Sequence, residues 1–152
     1  MQYNKYGDDF NVDDIFVTQS ITVTETHVVN WASLTMDFYC LHTDAVSASK
    51  TIFKERVAHG PLIFGLAVGL VYIAGIAADS VIAWLGVDNM QMLKPVKIGD
   101  TINVTVKVMD KRTTSKPDRG IQTWKYTVKN QYDEAVLVFD YKMMFHLREK
   151  KI

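Results

Sequence analysis

An α+β architecture, with a curved antiparallel sheet wrapped around a long apolar central helix, is what this chain predicts. Three observations lead there. The run from Pro61 to Ala78, PLIFGLAVGLVYIAGIAA, carries no charged residue. Everything after Ser80 alternates at a period of two, the pattern of strands with one face inward. Upstream, the chain carries helix-capping and helix-period signals instead. A length of 152 residues fits one domain, 1–152, and 48% hydrophobic residues supply a single core for it.

The elements follow in order. After an acidic start, Ile15 to Val23 reads as a strand. Thr24 can cap a helix from Glu25 to about Met36, with Val28, Val29, Ala32 and Leu34 inward. Thr43 can cap a short helix over Asp44 to Ser49. TIFKERVAHG then leads into the apolar helix, where Pro61 suits the first turn because its missing amide hydrogen costs nothing there. VIAWLGVDNMQML is the next strand, followed by TINVTVKVMD with Ile102, Val104, Val106 and Val108 on one face. IQTWKYTVKN and AVLVFDYKMMFHL complete an antiparallel set joined through KPDRG and QYDE. An apolar helix needs a wrapper, and a sheet of about five strands is the one this chain contains. That arrangement is a hot-dog fold.

Composition excludes several classes. Seventeen basic residues cancel seventeen acidic ones, so no charge excess draws the chain to nucleic acid. The single cysteine, Cys40, makes no internal disulfide, and MQYNKYGDDF lacks a signal-peptide pattern. A cytoplasmic protein is expected. Pro61–Ala78 reaches the lower length limit for a membrane span, and Gly65 and Gly69 make a GxxxG pair. Its flanks read as amphipathic strands without an aromatic belt, so we expect burial within the domain, with the glycines allowing close approach to the sheet.

Two stretches can carry chemistry: MDFYCLH at 36–42 and VAHGPL at 57–62. Asp37 and His42 on one continuous helix would point roughly 140° apart. They converge only if the helix ends near Asp37 and the chain turns. A carboxylate and an imidazole holding one water form an acid-base pair near neutral pH, although either residue could equally serve as a loop cap or a half-buried polar group. Gly60 opens the apolar helix, whose first amides have no internal partner and can hold a developing oxyanion. Cys40 reads as packing rather than as a nucleophile.

Together these stretches resemble something specific. WASLTMDFYCLHTDAVSASKTIFKERVAHGPLIFGLAVGL is similar to the signature of the MaoC-like dehydratases, the (R)-specific enoyl-CoA hydratase family of hot-dog proteins. That signature runs Asp, any residue, Asn or another polar residue, Pro, an aliphatic residue, His, and falls on Asp37 to His42; its HG motif falls on His59 and Gly60. LGVDNMQMLKPVKIGDTINVTVKVMDKR resembles the family's following passage. Tyr39 and Cys40 replace the usual Asn-Pro, and Val68 stands where some members have serine.

The resemblance implies reversible addition of water to a trans-2-enoyl thioester, giving an (R)-3-hydroxyacyl thioester. It implies that Asp37 and His42 hold the water and that the Gly60 amide holds the thioester oxygen. No metal or cofactor is implied, coenzyme A being part of the substrate. Tyr39, His59 and Val68 are expected along the substrate, with phosphate contacts sought among Lys94, Lys97, Lys111, Arg112, Lys116 and Arg119, of which Lys94 and Arg112 are the leading candidates. The acyl group would arrive on coenzyme A or on acyl carrier protein. A homodimer or larger homo-oligomer is expected, with exposed strand surface around Trp84, Trp124, Tyr126, Phe139, Tyr141 and Phe145. A hot-dog thioesterase and a noncatalytic acyl-thioester-binding subunit are the alternative readings.

Overall fold

The computed structural model describes residues 4–76 and 79–148. Its strands are β1 (Ile15–Val17), β2 (Ile21–Thr22), β3 (Val81–Met92), β4 (Thr101–Thr113), β5 (Arg119–Lys129) and β6 (Ala135–His146). The helices are α1 (Glu25–Thr35), α2 (Cys40–Thr43), α3 (Ala45–Ser49) and α4 (Gly60–Ile73). All strand pairings are antiparallel, in the order β1-β4-β5-β6-β3 with β2 also on β4. This six-stranded sheet curves over α4, which makes the chain a hot-dog fold.

The core sits between sheet and helix. Ile102, Val104, Val106 and Val108 are all wholly buried, as the period-two reading requires. Against them lie Trp124, Tyr126 and Val128 of β5, Leu137 and Phe139 of β6, and Leu62, Ile63, Ala67 and Leu70 of α4. Side chains that alternate along a strand present every second residue to one face, so one register places the whole set inward.

Several expectations need correction. The strand foreseen over Ile15–Val23 is broken at Thr18. There the Thr18 amide donates to the Val104 carbonyl at 3.0 Å, while the Val104 amide donates to the Thr18 hydroxyl at 3.0 Å. A side-chain oxygen has replaced a main-chain acceptor, and the register steps by one residue between β1 and β2. Asp44, not Thr43, caps α3, its carboxylate accepting from the Val46 and Ser47 amides. In α1, Val28 and Ala32 are buried but Val29 and Leu34 are exposed, because i, i+4 residues share a helix face and those two lie off it.

Helix α4 stops at Ile73 rather than Ala78. Gly75 follows in a left-handed conformation, which ends a helix readily; Ala77 and Ala78 lie outside the described residues. Nor is α4 buried all round, since Tyr72 and Ile73 are exposed. Its glycines are not forced by crowding: a Cβ at Gly65 would touch only Trp31, at 3.8 Å, and one at Gly69 would meet nothing within 4 Å. Of the six aromatics expected on the strand surface, only Trp84 is exposed, the other five having been taken into the core. Among the described residues, no helix is long and apolar enough to cross a membrane.

Candidate active site

The site is built where α1 gives out. Met36 caps α1 in the left-handed conformation, at φ 65°, and swings the chain off the helix axis before α2 begins at Cys40. That turn brings together residues a continuous helix would separate. The ligand-bearing atoms of Asp37, His42 and His59 lie within 4.8 Å of one another. Asp37 and Tyr39 face outward, His42 is half-buried, and His59 is wholly buried.

Main-chain carbonyls decide where the histidine protons sit. Nδ1 of His42 lies 2.7 Å from the Val57 carbonyl, and a carbonyl only accepts, so Nδ1 carries the hydrogen and donates it. Neutral His42 is left with its lone pair on Nε2, the form a general base requires. Nε2 of His59 lies 3.0 Å from the Asp37 carbonyl and donates in the same way. Its Nδ1 is buried without a hydrogen-bond partner among the described residues. Burial pushes the His59 imidazole below its ordinary titration range, outweighing the opposing Asp37 hydrogen bond.

The two imidazoles stack with centroids 3.8 Å apart and planes tilted by 33°. One nitrogen of each ring is committed to a main-chain carbonyl, His42 Nδ1 to Val57 and His59 Nε2 to Asp37. Tyr39 packs edge-on against His42 at 5.9 Å, outside the pair.

Gly60 is the first residue of α4, with His59 as N-cap and Pro61 next. Its amide belongs to the turn whose donors the helix ladder leaves unpartnered. A Cβ there would approach Met92 Sδ at 3.4 Å, a flexible neighbour, so intramolecular crowding does not by itself demand glycine.

Farther along α4 lies a cavity of about 280 Å³ lined by Val68, Val71, Trp84, Tyr126 and Tyr141. Phe64, a turn beyond Gly60 and a turn before Val68, stands between them and packs edge-on against Phe139, with centroids 5.0 Å apart. This cavity was invisible in the sequence, because its walls come from α4, β3, β5 and β6 together. The expected residues divide accordingly. Asp37, Tyr39, His42, His59 and Gly60 gather at one end of α4, and Val68 lies about 12 Å along it at 1.5 Å per residue.

The basic residues divide too. Lys94 follows β3 just after Met92, close to the Gly60 end, and is paired with Glu134 at 2.5 Å. Arg112 stands near the opposite end of β4, eleven residues from Thr101 and opposite Ile121, which is roughly 35 Å of strand. Within one chain it cannot reach the Asp37–His42 pair. His59 is wholly buried.

The MaoC like domain family model matches residues 10–130. The chain is 38% identical over 118 residues to Protein MaoC of Klebsiella aerogenes, a match covering 78% of this chain but 34% of that protein, so the chain spans about a third of that relative. It is 30% identical over 106 residues to the (R)-specific enoyl-CoA hydratase of Rhodospirillum rubrum, covering 70% of this chain and 69% of that one. The crystal structure of an Archaeoglobus monoamine oxidase regulatory protein superposes with a TM-score of 0.89 at 35% identity, over 95% of both chains. The chain belongs to the MaoC-like dehydratase domain family.

Proposed function

We propose that this protein is an (R)-specific enoyl-thioester hydratase, equally a 3-hydroxyacyl-thioester dehydratase in reverse. The observation that carries the reading is the Val57 carbonyl on His42 Nδ1, which leaves Nε2 as the free base beside the Asp37 carboxylate. Family membership and the identity to an (R)-specific hydratase support the reaction class.

In the proposed reaction His42 takes a proton from water as the oxygen bonds to the β-carbon of the enoyl thioester. The π electrons move to the thioester oxygen, where the Gly60 amide donates to the growing enolate charge more strongly than to the ground-state carbonyl. The His42 imidazolium then passes the proton it took from water to the Asp37 carboxylate, which delivers it to the α-carbon of the enolate, so both groups return to their starting states; the pair can also act in exchanged roles. The acyl chain runs along α4, past Phe64 towards the cavity at Val68. Tyr39 and Lys94 lie at the open end, where a coenzyme A or carrier-protein arm would leave.

Two copies of the chain pair in this reading. β3 forms one of the two edges of the sheet and exposes Trp84, Leu85, Met90 and Met92, an edge that a second copy would cover.

The test is enoyl absorbance of crotonyl-CoA incubated with purified protein, with chiral analysis of the product and an assay for free thiol. Loss of absorbance with (R)-3-hydroxybutyryl-CoA formed and no thiol released is expected. Thiol release would replace the hydratase with a thioesterase. Tight binding without turnover across short, medium and branched enoyl-CoAs and carrier-bound enoyl groups would make the chain a noncatalytic acyl-binding subunit.

A further inference from the structure

We propose that His59 is a positioning residue whose Nε2–H, donated to the Asp37 main-chain carbonyl, holds the catalytic loop against the face of the His42 ring. The inference rests on the hydratase reading for its kinetic consequences, though its geometry stands independently.

The loop needs holding. Met36 occupies a left-handed conformation without being glycine, which costs on the order of 1 kcal/mol and persists only where surrounding contacts enforce it. Contacts within the loop are all local: the Asp37 amide reaches the Thr35 hydroxyl and the Tyr39 amide reaches Asp37 Oδ1, each at 3.4 Å, while the Phe38 amide donates to the Met36 carbonyl and the Thr43 hydroxyl to the Phe38 carbonyl, each at 3.1 Å. The 3.0 Å bond from His59 to the Asp37 carbonyl instead ties the loop to a different part of the chain.

His59 makes that bond at a cost. Its Nδ1 is buried with no hydrogen-bond partner among the described residues, a penalty that an apolar ring of similar size would avoid. What an apolar ring lacks is the donor. A residue that strands one nitrogen in order to donate with the other points to the donated bond as its function. The same ring, stacked 3.8 Å from His42, fixes the plane in which the His42 lone pair lies.

Three site groups then trace to one short segment. Val57 supplies the carbonyl that sets the His42 tautomer, His59 supplies the donor that sets Asp37, and Gly60 supplies the amide that opens α4. The segment itself is tied down, Ala58 donating to the Val96 carbonyl at 2.8 Å and Val57 bridging Lys97. Residues 57–60 thus hold both sides of the proposed water site in register.

The test compares His59→Phe, which keeps a ring and deletes the donor, with His59→Gln, which restores an N–H. Expected is a kcat about 10–100-fold lower in His59→Phe with KM within about threefold of wild type, and at least about threefold recovery of kcat in His59→Gln. A folded His59→Phe with wild-type kcat overturns the proposal, as does a rise in KM alone, which would mark a substrate contact. Nitrogen NMR of histidine-labelled wild-type protein at neutral pH supplies a reading that needs neither turnover nor a folded variant: the Nε2–H tautomer is expected for His59, and an Nδ1–H tautomer or an imidazolium overturns the assignment. If wild type converts no enoyl thioester, the hydratase reading fails, and the tautomer alone decides the inference.

Discussion

The carbonyl of Val57 accepts the Nδ1 hydrogen of His42 at 2.7 Å, a contact between residues fifteen apart in sequence that places the free lone pair of the imidazole on Nε2. In the proposed hydration, a histidine tautomer set in this way is prepared as a base before substrate arrives, with no rearrangement needed at the moment of reaction.

Removing either member of the pair should stop the chemistry while sparing the fold. Asp37→Asn and His42→Gln are each expected to lower turnover of an enoyl thioester at least about a hundredfold, the scale of acid-base catalysis. Both residues lie outside the buried core, so circular dichroism and thermal midpoint should remain near wild type. Near-normal turnover by either folded variant would remove that residue from its role.

The cavity on α4 predicts a chain-length effect. Val68 lines it, and Val68→Phe fills part of it. Turnover of a long-chain enoyl-CoA should fall about tenfold or more through the lost pocket contacts, against less than about threefold for crotonyl-CoA, whose four carbons end before it. Equal losses on both substrates would place the acyl chain elsewhere.

Stability should carry a pH signature from His59. Its folded imidazole titrates below the ordinary value of 6.5 because burial disfavours the cation. Above that value both states are neutral and stability is level. As pH falls below it, the unfolded chain gains a proton that the native ring refuses, so stability drops until the folded value is passed. The slope from this group cannot exceed about 1.4 kcal/mol per pH unit. The carboxylates held below their usual range, Asp9, Glu25, Asp44 and Glu134, act only at lower pH. Urea unfolding from pH 8 to 5 should therefore show a steeper decline in wild type than in His59→Gln, and parallel curves would contradict the burial effect.

The break between β1 and β2 should be expensive to alter. Thr18→Val keeps the shape of the side chain but leaves the Val104 amide, wholly buried, without the hydroxyl it donates to. A stranded donor of this kind costs about 1–3 kcal/mol, which corresponds to roughly 2–4 °C of melting temperature per kcal/mol at this chain length. A melting temperature unchanged within a degree would show that the main chain re-pairs.

Near the N-terminal end of the described chain, Gly7 packs against the sheet so closely that a Cβ would stand 2.8 Å from the Phe145 Cβ and 2.9 Å from Leu147 Cδ2. A Cβ cannot swing away as a flexible side-chain end can. Gly7→Ala should cost about 1–3 kcal/mol by overpacking, measurable as a lower denaturation midpoint. An unchanged midpoint would mean that this segment shifts freely.

Much of the fold was legible because it rests on local periodicity. The inward face of β4 and the uncharged run of α4 show in the sequence itself. The interruption at Thr18 was not, since a threonine in a strand and a threonine whose hydroxyl substitutes for a carbonyl look alike until the partner strand is known. The stop of α4 before Gly75 was not foreseen either, since Gly75 lies inside an apolar run that continues to Ala78. In the site, the convergence of Asp37 and His42 could be foreseen from the need for a turn between them. The role of His59 could not, because it depends on a carbonyl twenty-two residues away, and the distance of Arg112 from the site follows only from its register on β4.

The turn at Met36 has a wider consequence. Asp37, Tyr39, Cys40 and His42 all fall outside the hydrophobic cluster that holds α4 to the sheet, so residues 37–42 form a cassette hung from the fold rather than woven into it. Change at positions 38 to 40 is decoupled from the packing that keeps the domain folded. A substitution in the loop can therefore reshape what borders the site without drawing on the contacts that hold α4 to the sheet.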